Sequence, residues 1–308
     1  VKKISSYITK KVASQLENIF KTRRQEFEEK WNDIKIFIEY GMLTDEKFCD
    51  SAMKFALLPN TDDKKFTLDE YKQLIESNQT DKDGNLIYLY TTDKTAQYSY
   101  IKAATDKGYD VLVIDDQLGS HFVGLLERKL EKSRFVRVDS DVIENLIVKE
   151  DRKTAELSTS ERNIMTELFK SQIPTVEKSE FLVSFEALSE NTQPVQITQS
   201  EYMRRMKEMA TMQSGMSFYG DLPDSYSVIL NTEHPLIKRV MDDAKAALND
   251  KVMPCSTPLT YVFLLNKLLT KIVSSTRYPV GASYSCIVNV PNGKHTSSSF
   301  IIRASPPT

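Results

Sequence analysis

Apolar residues return at three- and four-residue steps from the start of the chain: Ile4, Ile8, Val12, Leu16, Ile19 and Phe20, then Phe27, Trp31, Ile34 and Ile38. That spacing lines one face of a helix, so two amphipathic helices are predicted, the second stopped by Gly41. A third is expected over 45–56. Thr67 and Glu70 form a capping box ahead of Tyr71, Leu74 and Ile75, which starts a fourth. The period then changes: Asp83 and Gly84 make a turn, and 86–90 is a continuous apolar run of strand length. Tyr98, Ile101 and Ala104 restore helical spacing up to Gly108, a natural C-cap. Residues 111–114 and 135–138 are two more strands, separated by a helix over 118–130. Strands alternating with helices of this length build a small parallel sheet, and strands this apolar need cover on both faces.

A charged stretch at 149–153 is the best linker candidate. Beyond it, Ser158 and Glu161 make a second capping box before Ile164, Leu168 and Phe169. Strand patterns follow at 181–185, 195–198 and 226–230, with helices at about 200–211 and after Pro235. This half does not alternate regularly and reads as α+β. The expected fold class is α/β plus α+β: a helical segment leading into a small three-strand parallel α/β layer, then a smaller α+β domain. The expected boundaries are 1–150, 151–250 and 251–308.

Composition narrows the function classes. With 41 Lys and Arg against 43 Asp and Glu in 308 residues, the net charge is −2. That balance lacks the basic stripe of a nucleic-acid binder, and no apolar run approaches the roughly 18 residues of a membrane span. Residues 1–6 carry lysines but no apolar core, so no signal peptide is expected. Cys49, Cys255 and Cys286 are too scattered for a disulfide framework, which favours a cytoplasmic protein with free thiols. The average conceals a break: every acidic residue lies at or before Asp250, giving −8 to that point, while the last 58 residues carry +6. A basic tail for anionic partners is one reading of 251–308; sequence foreign to the rest, such as a reading-frame artefact, is the other.

Catalytic signatures are sparse. Neither a G-x-G-x-x-G nor a G-x-x-x-x-G-K-[ST] loop occurs, so no phosphate cradle is expected. His121, His234 and His295 are not at metal-ligand spacing, and 215–220 has one residue too many for a nucleophile elbow. Asp81, Asp83 and Gly84 lack the terminal acids of a calcium loop and read as a turn. Asp115 and Asp116, just past a strand end, either bind magnesium or begin a helix, and the helix start is preferred.

One segment stands apart. Met203, Met206, Met209, Met212 and Met216 follow each other at steps of three or four, interleaved with Arg204, Arg205 and Lys207 and followed by Phe218 and Tyr219. Such a stripe is either core packing or an adaptable apolar binding surface, since methionine is flexible and polarizable.

Several blocks together resemble a known family. Phe27 to Gly41, Thr67 to Tyr71, Asn78 and Gln79 leading into 87–90, and Lys107 to Asp115 look like the middle domain of heat-shock protein 90 chaperones, especially the bacterial HtpG type. Arg204 to Lys207 and Asn231 to Ile237 resemble that family's C-terminal domain. The resemblance runs from about residue 4 to residue 250 and implies part of an ATP-driven, homodimeric folding chaperone. It implies partly folded client proteins as partners, with co-chaperones besides, and ATP and magnesium handled by an N-terminal domain of the parent rather than by this chain.

No catalysis is expected of this part. By resemblance, client contact falls on Met203, Met206, Met209, Met212, Met216, Phe218 and Tyr219, and on the helix start carrying Ser120, His121 and Phe122, with the neighbouring arginines sharing the contact. The tail from Pro254 does not resemble the family's dimerising helices. Two other readings remain: an assembly scaffold whose Met stripe is core, and a magnesium-dependent α/β enzyme using Asp115 and Asp116.

Overall fold

The computed structural model describes residues 2–149, 155–173, 176–212 and 223–249. Helices α1 (Lys2–Thr22), α2 (Arg24–Thr44) and α3 (Glu46–Ala52) open the chain. Of the second stripe read from the sequence, Phe27, Trp31 and Ile38 of α2 are buried, together with Met42 and with Phe48, Cys49 and Ala52 of α3, and Ile34 packs partly buried against them; of the first stripe, Ile8 and Val12 of α1 are exposed instead. Gly41 does not stop α2, which continues one turn further. A β-carbon at position 41 would lie 2.7 Å from the Phe48 ring, so glycine here lets α3 fold back closely. The Asp45 side chain then caps α3 by accepting from the Phe48 amide.

A short antiparallel hairpin, β1 (Leu57–Pro59) and β2 (Lys65–Thr67), went unpredicted; three-residue strands carry too little pattern. Helix α4 (Leu68–Ile75) begins at the expected capping box. Glu70 does double duty there, accepting from the Thr67 amide and pairing with Arg24, which holds its carboxyl down at about 2.

The parallel sheet has the order β4–β3–β5, from β3 (Leu86–Thr91), β4 (Val111–Val113) and β5 (Ser133–Arg137). All six positions of β3 are buried, as its unbroken apolar run requires. Helices α5 (Tyr98–Asp106), α6 (Gly119–Lys129) and the single turn α7 (Ile143–Leu146) complete this group. Tyr88 stacks between Tyr71 and Phe135, at ring separations of 5.8 and 4.5 Å, and so ties α4, β3 and β5 together.

The second group comprises α8 (Thr159–Lys170), β6 (Ser179–Glu186), β7 (Val195–Gln199), α9 (Glu201–Met212), β8 (Asp224–Asn231) and α10 (Pro235–Asn249). Its sheet, β6–β8–β7, is mixed: β6 runs parallel to β8 and β7 antiparallel. Met165 and Phe169 of α8 and Ile237 and Val240 of α10 cover it against Val195, Ile197, Val228 and Leu230. The two groups touch directly. Val142 packs with Leu188 and Ile229, the Gln199 amide donates to the Asp139 carbonyl at 3.0 Å, and Arg137 donates to the Gln199 side chain at 2.8 Å. Most of the expected linker, and all of 251–308, lie outside the described residues. Among the described residues no helix is long and apolar enough to cross a membrane.

Candidate functional site

Helix α9 forms in a segment rich in helix-favouring Met, Arg, Lys and Glu, and starts directly after β7. Its first turns lie against α6 and β5. The Ser120 hydroxyl, at the start of α6, donates to the Glu208 carboxylate of α9 across 88 positions of sequence. Arg205 donates to Glu127 of α6 at 2.8 Å and to the Phe135 carbonyl of β5. Arg204 donates to the Tyr90 hydroxyl and to Glu201 at 2.8 Å, and Tyr90 donates to the same Glu201 oxygen at 2.7 Å. Burial opposes charge on Glu201, but Arg204 and Arg205 outweigh it and hold the carboxyl below its usual range.

Beside this root, Met203 and Met206 are half-buried and Tyr202 is 69% exposed. Neither methionine belongs to an apolar core of the described residues, whereas Met42 and Met165 are fully enclosed in theirs. A separate cleft of about 1,070 Å³ opens between the two groups of elements. Its Lys107 and Lys238 are matched by Glu144 at 3.3 Å and Glu233 at 2.8 Å, so these two lysines leave no free positive pair for an anion.

A sequence model described as Hsp90 protein matches residues 1–265. The chain belongs to the Hsp90 family. It is 58% identical to the chaperone protein HtpG of Bacteroides thetaiotaomicron over 262 residues, which are 85% of this chain and 38% of that protein. The corresponding protein of Bacteroides fragilis is 57% identical over 259 residues, 84% of this chain and 38% of its own length. That of Porphyromonas gingivalis is 57% identical over 248 residues, 80% and 36% respectively. The chain thus spans less than two-fifths of these relatives. The family match continues past the charge break at Lys251 to residue 265.

Within this Hsp90-family chain, the expected contact residues separate into three sets. Met203, Met206 and His121 are partly accessible, and the Ser120–Glu208 contact brings their two helices together. Met209 and Met212 lie on α9 with side chains outside the described residues, as are Met216, Phe218 and Tyr219 altogether. Phe122 departs from expectation: it is 3% exposed and packs in the first core with Val123 and Leu126, because it points inward from α6 while His121 does not. The neighbouring arginines depart as well. Arg204 is 5% exposed and bound internally, so it anchors α9 instead of facing a client. The Glu201 pairings were missed although their three- and four-residue spacing is a signal that could have found them; the distant partners Tyr90 and Glu127 leave no such signal.

Asp116 shapes the turn ahead of α6 without capping the helix, and both carboxylates anchor α2 through Lys35. Asp116 accepts from the Leu118 amide at 2.9 Å, just ahead of α6, and Lys35 of α2 lies 2.7 Å from Asp115 and 3.4 Å from Asp116. With this lysine between them, the pair is a poor fit for a magnesium ion. Buried Glu39, one turn along α2, faces Lys35, Asp115 and Asp116, and burial followed by the Asp116 charge pushes its carboxyl up to about 8. The unfolded chain releases that proton near 4.5, so stability from Glu39 is full below pH 4.5 and is lost as pH rises to 8. Glu39→Gln is therefore expected to raise stability by roughly 2–5 kcal/mol at pH 9 and to change it little at pH 4. Urea unfolding at both pH values checks this; an equal effect at both contradicts it.

Proposed function

We propose that this chain is a client-holding part of an Hsp90-type chaperone that buries exposed apolar surface of partly folded proteins on α9 and the start of α6. The observation that carries the reading is the junction of these two helices at Ser120 and Glu208, beside methionines that no described core absorbs. Half-buried, flexible thioethers suit weak contact with varied apolar surfaces, because they repack at low cost. The holding step needs no bond-making residue, and we assign none to this chain. ATP and magnesium belong, on this reading, to other parts of a longer cytoplasmic, homodimeric protein that also meets co-chaperones. That Lys35 is already paired with Asp115 and Asp116 supports this assignment. We treat 1–150 and 151–250 as middle-domain-like and C-terminal-domain-like units of that parent.

A scaffold reading draws on one observation, the internal burial of Arg204 and Ala210 on α9. Suppression of aggregation of a chemically unfolded enzyme distinguishes the two. The chain is expected to suppress it, and a Met203→Ser/Met206→Ser variant with the same urea midpoint is expected to lose most of that effect. Equal suppression by both proteins overturns the assignment to the Met face, and none by either favours the scaffold.

A further inference from the structure

Charge and hydrogen bonds, more than apolar contact, root α9 in the first group of elements. One oxygen of Glu201 accepts from Tyr90 at 2.7 Å, Arg204 at 2.8 Å and Arg205 at 2.5 Å. Tyr90 is buried on β3, the central strand of the parallel sheet. Arg205 and Glu127 bracket Phe135 of β5: Arg205 donates to its carbonyl and Glu127 accepts from its amide at 2.8 Å. The joint therefore reaches β3, β5 and α6 at once.

Its geometry is more informative than its strength. Buried ion pairs are a poor source of net stability compared with apolar packing, but arginine forks are strongly directional. Arg204 and Arg205 leave the helix about 100° apart and converge on one Glu201 oxygen, from which Arg204 reaches Tyr90 of β3 and Arg205 reaches Glu127 of α6 and the Phe135 carbonyl of β5. A single contact would leave the helix free to roll, whereas anchors on β3, β5 and α6 together fix its rotation about its own axis. That rotation decides which way Met203 and Met206 face.

We propose that the Tyr90–Glu201–Arg204–Arg205–Glu127 joint positions the Met face of α9 for client binding, with neither arginine touching the client. The inference rests on the client-holding reading above. The joint's residues are positioning residues: they act on the client only through the orientation of the methionines.

The test compares the chain with Tyr90→Phe, Arg205→Gln and Arg205→Lys variants, each also combined with Met203→Ser/Met206→Ser. Affinity is read by anisotropy of labelled, reduced and carboxymethylated α-lactalbumin, and helix order by hydrogen exchange over 201–208. Arg205→Gln and Tyr90→Phe are expected to speed exchange in α9 and weaken binding about tenfold, with Arg205→Lys intermediate in both. If the joint acts through the Met face, adding the Met substitutions costs little more. Additive losses, or faster exchange in α9 without weaker binding, overturn the inference while the chaperone reading stands. Unchanged exchange in both Arg205→Gln and Tyr90→Phe also overturns it. A parent chain that binds no α-lactalbumin overturns both.

Discussion

Phe122→Ala is expected to lower the unfolding free energy by about 3–5 kcal/mol, whereas His121→Ala lowers it by less than about 1 kcal/mol. The two residues are adjacent on α6, yet only Phe122 fills the core with Val123, Leu126 and Phe135. Removing the ring leaves a cavity lined by side chains that are themselves buried, and such a cavity collapses only in part. His121 has partial access to solvent, and its loss removes contact area without opening a void. Urea unfolding followed through Trp31, the chain's single tryptophan, gives both values. A stable Phe122→Ala variant with weakened client binding would return that ring to the surface.

Tyr88→Ala is expected to cost a similar amount, about 3–5 kcal/mol, and Tyr88→Phe about 1 kcal/mol or less. The ring is 1% exposed between Tyr71 and Phe135, so its loss unstacks both neighbours and uncouples α4 from the sheet. Burial pushes its hydroxyl up to about 12, so the phenol stays neutral through the working range. The phenylalanine variant keeps the stack and isolates the hydroxyl. Near-equal losses in the two variants would show that the hydroxyl, and not the ring, carries the stabilisation.

Local features were legible in the sequence, and distant partnerships were not. The capping boxes at Thr67–Glu70 and Ser158–Glu161 form as expected, because cap and partner are three residues apart. The turn at Gly84 forms as well, with a φ of +79° and the Asp81 carboxylate accepting from the amides of Asp83 and Asn85. Gly41 misled, because its role is set by Phe48 folding back from the next helix, a contact that no periodicity announces.

The candidate site divides in the same way. Methionine spacing along α9 points to the helix, but α9 is anchored through Arg204 and Arg205 to Tyr90 and Glu127, 114 and 78 positions away. Arginines that look like surface charge in a sequence window become internal anchors once β3 and α6 arrive beside them. Phe122 shows the complement: the resemblance points to the helix start, but only the packing shows that this residue of it faces the core.

The most direct test of client contact on α9 is a methyl NMR titration. The chain, labelled at its ten methionine methyl groups, is titrated with reduced, carboxymethylated α-lactalbumin. Broadening is expected at Met203 and Met206, with Met42 and Met165, enclosed in their cores, unaffected. Binding that leaves the Met203 and Met206 signals unchanged would contradict the account.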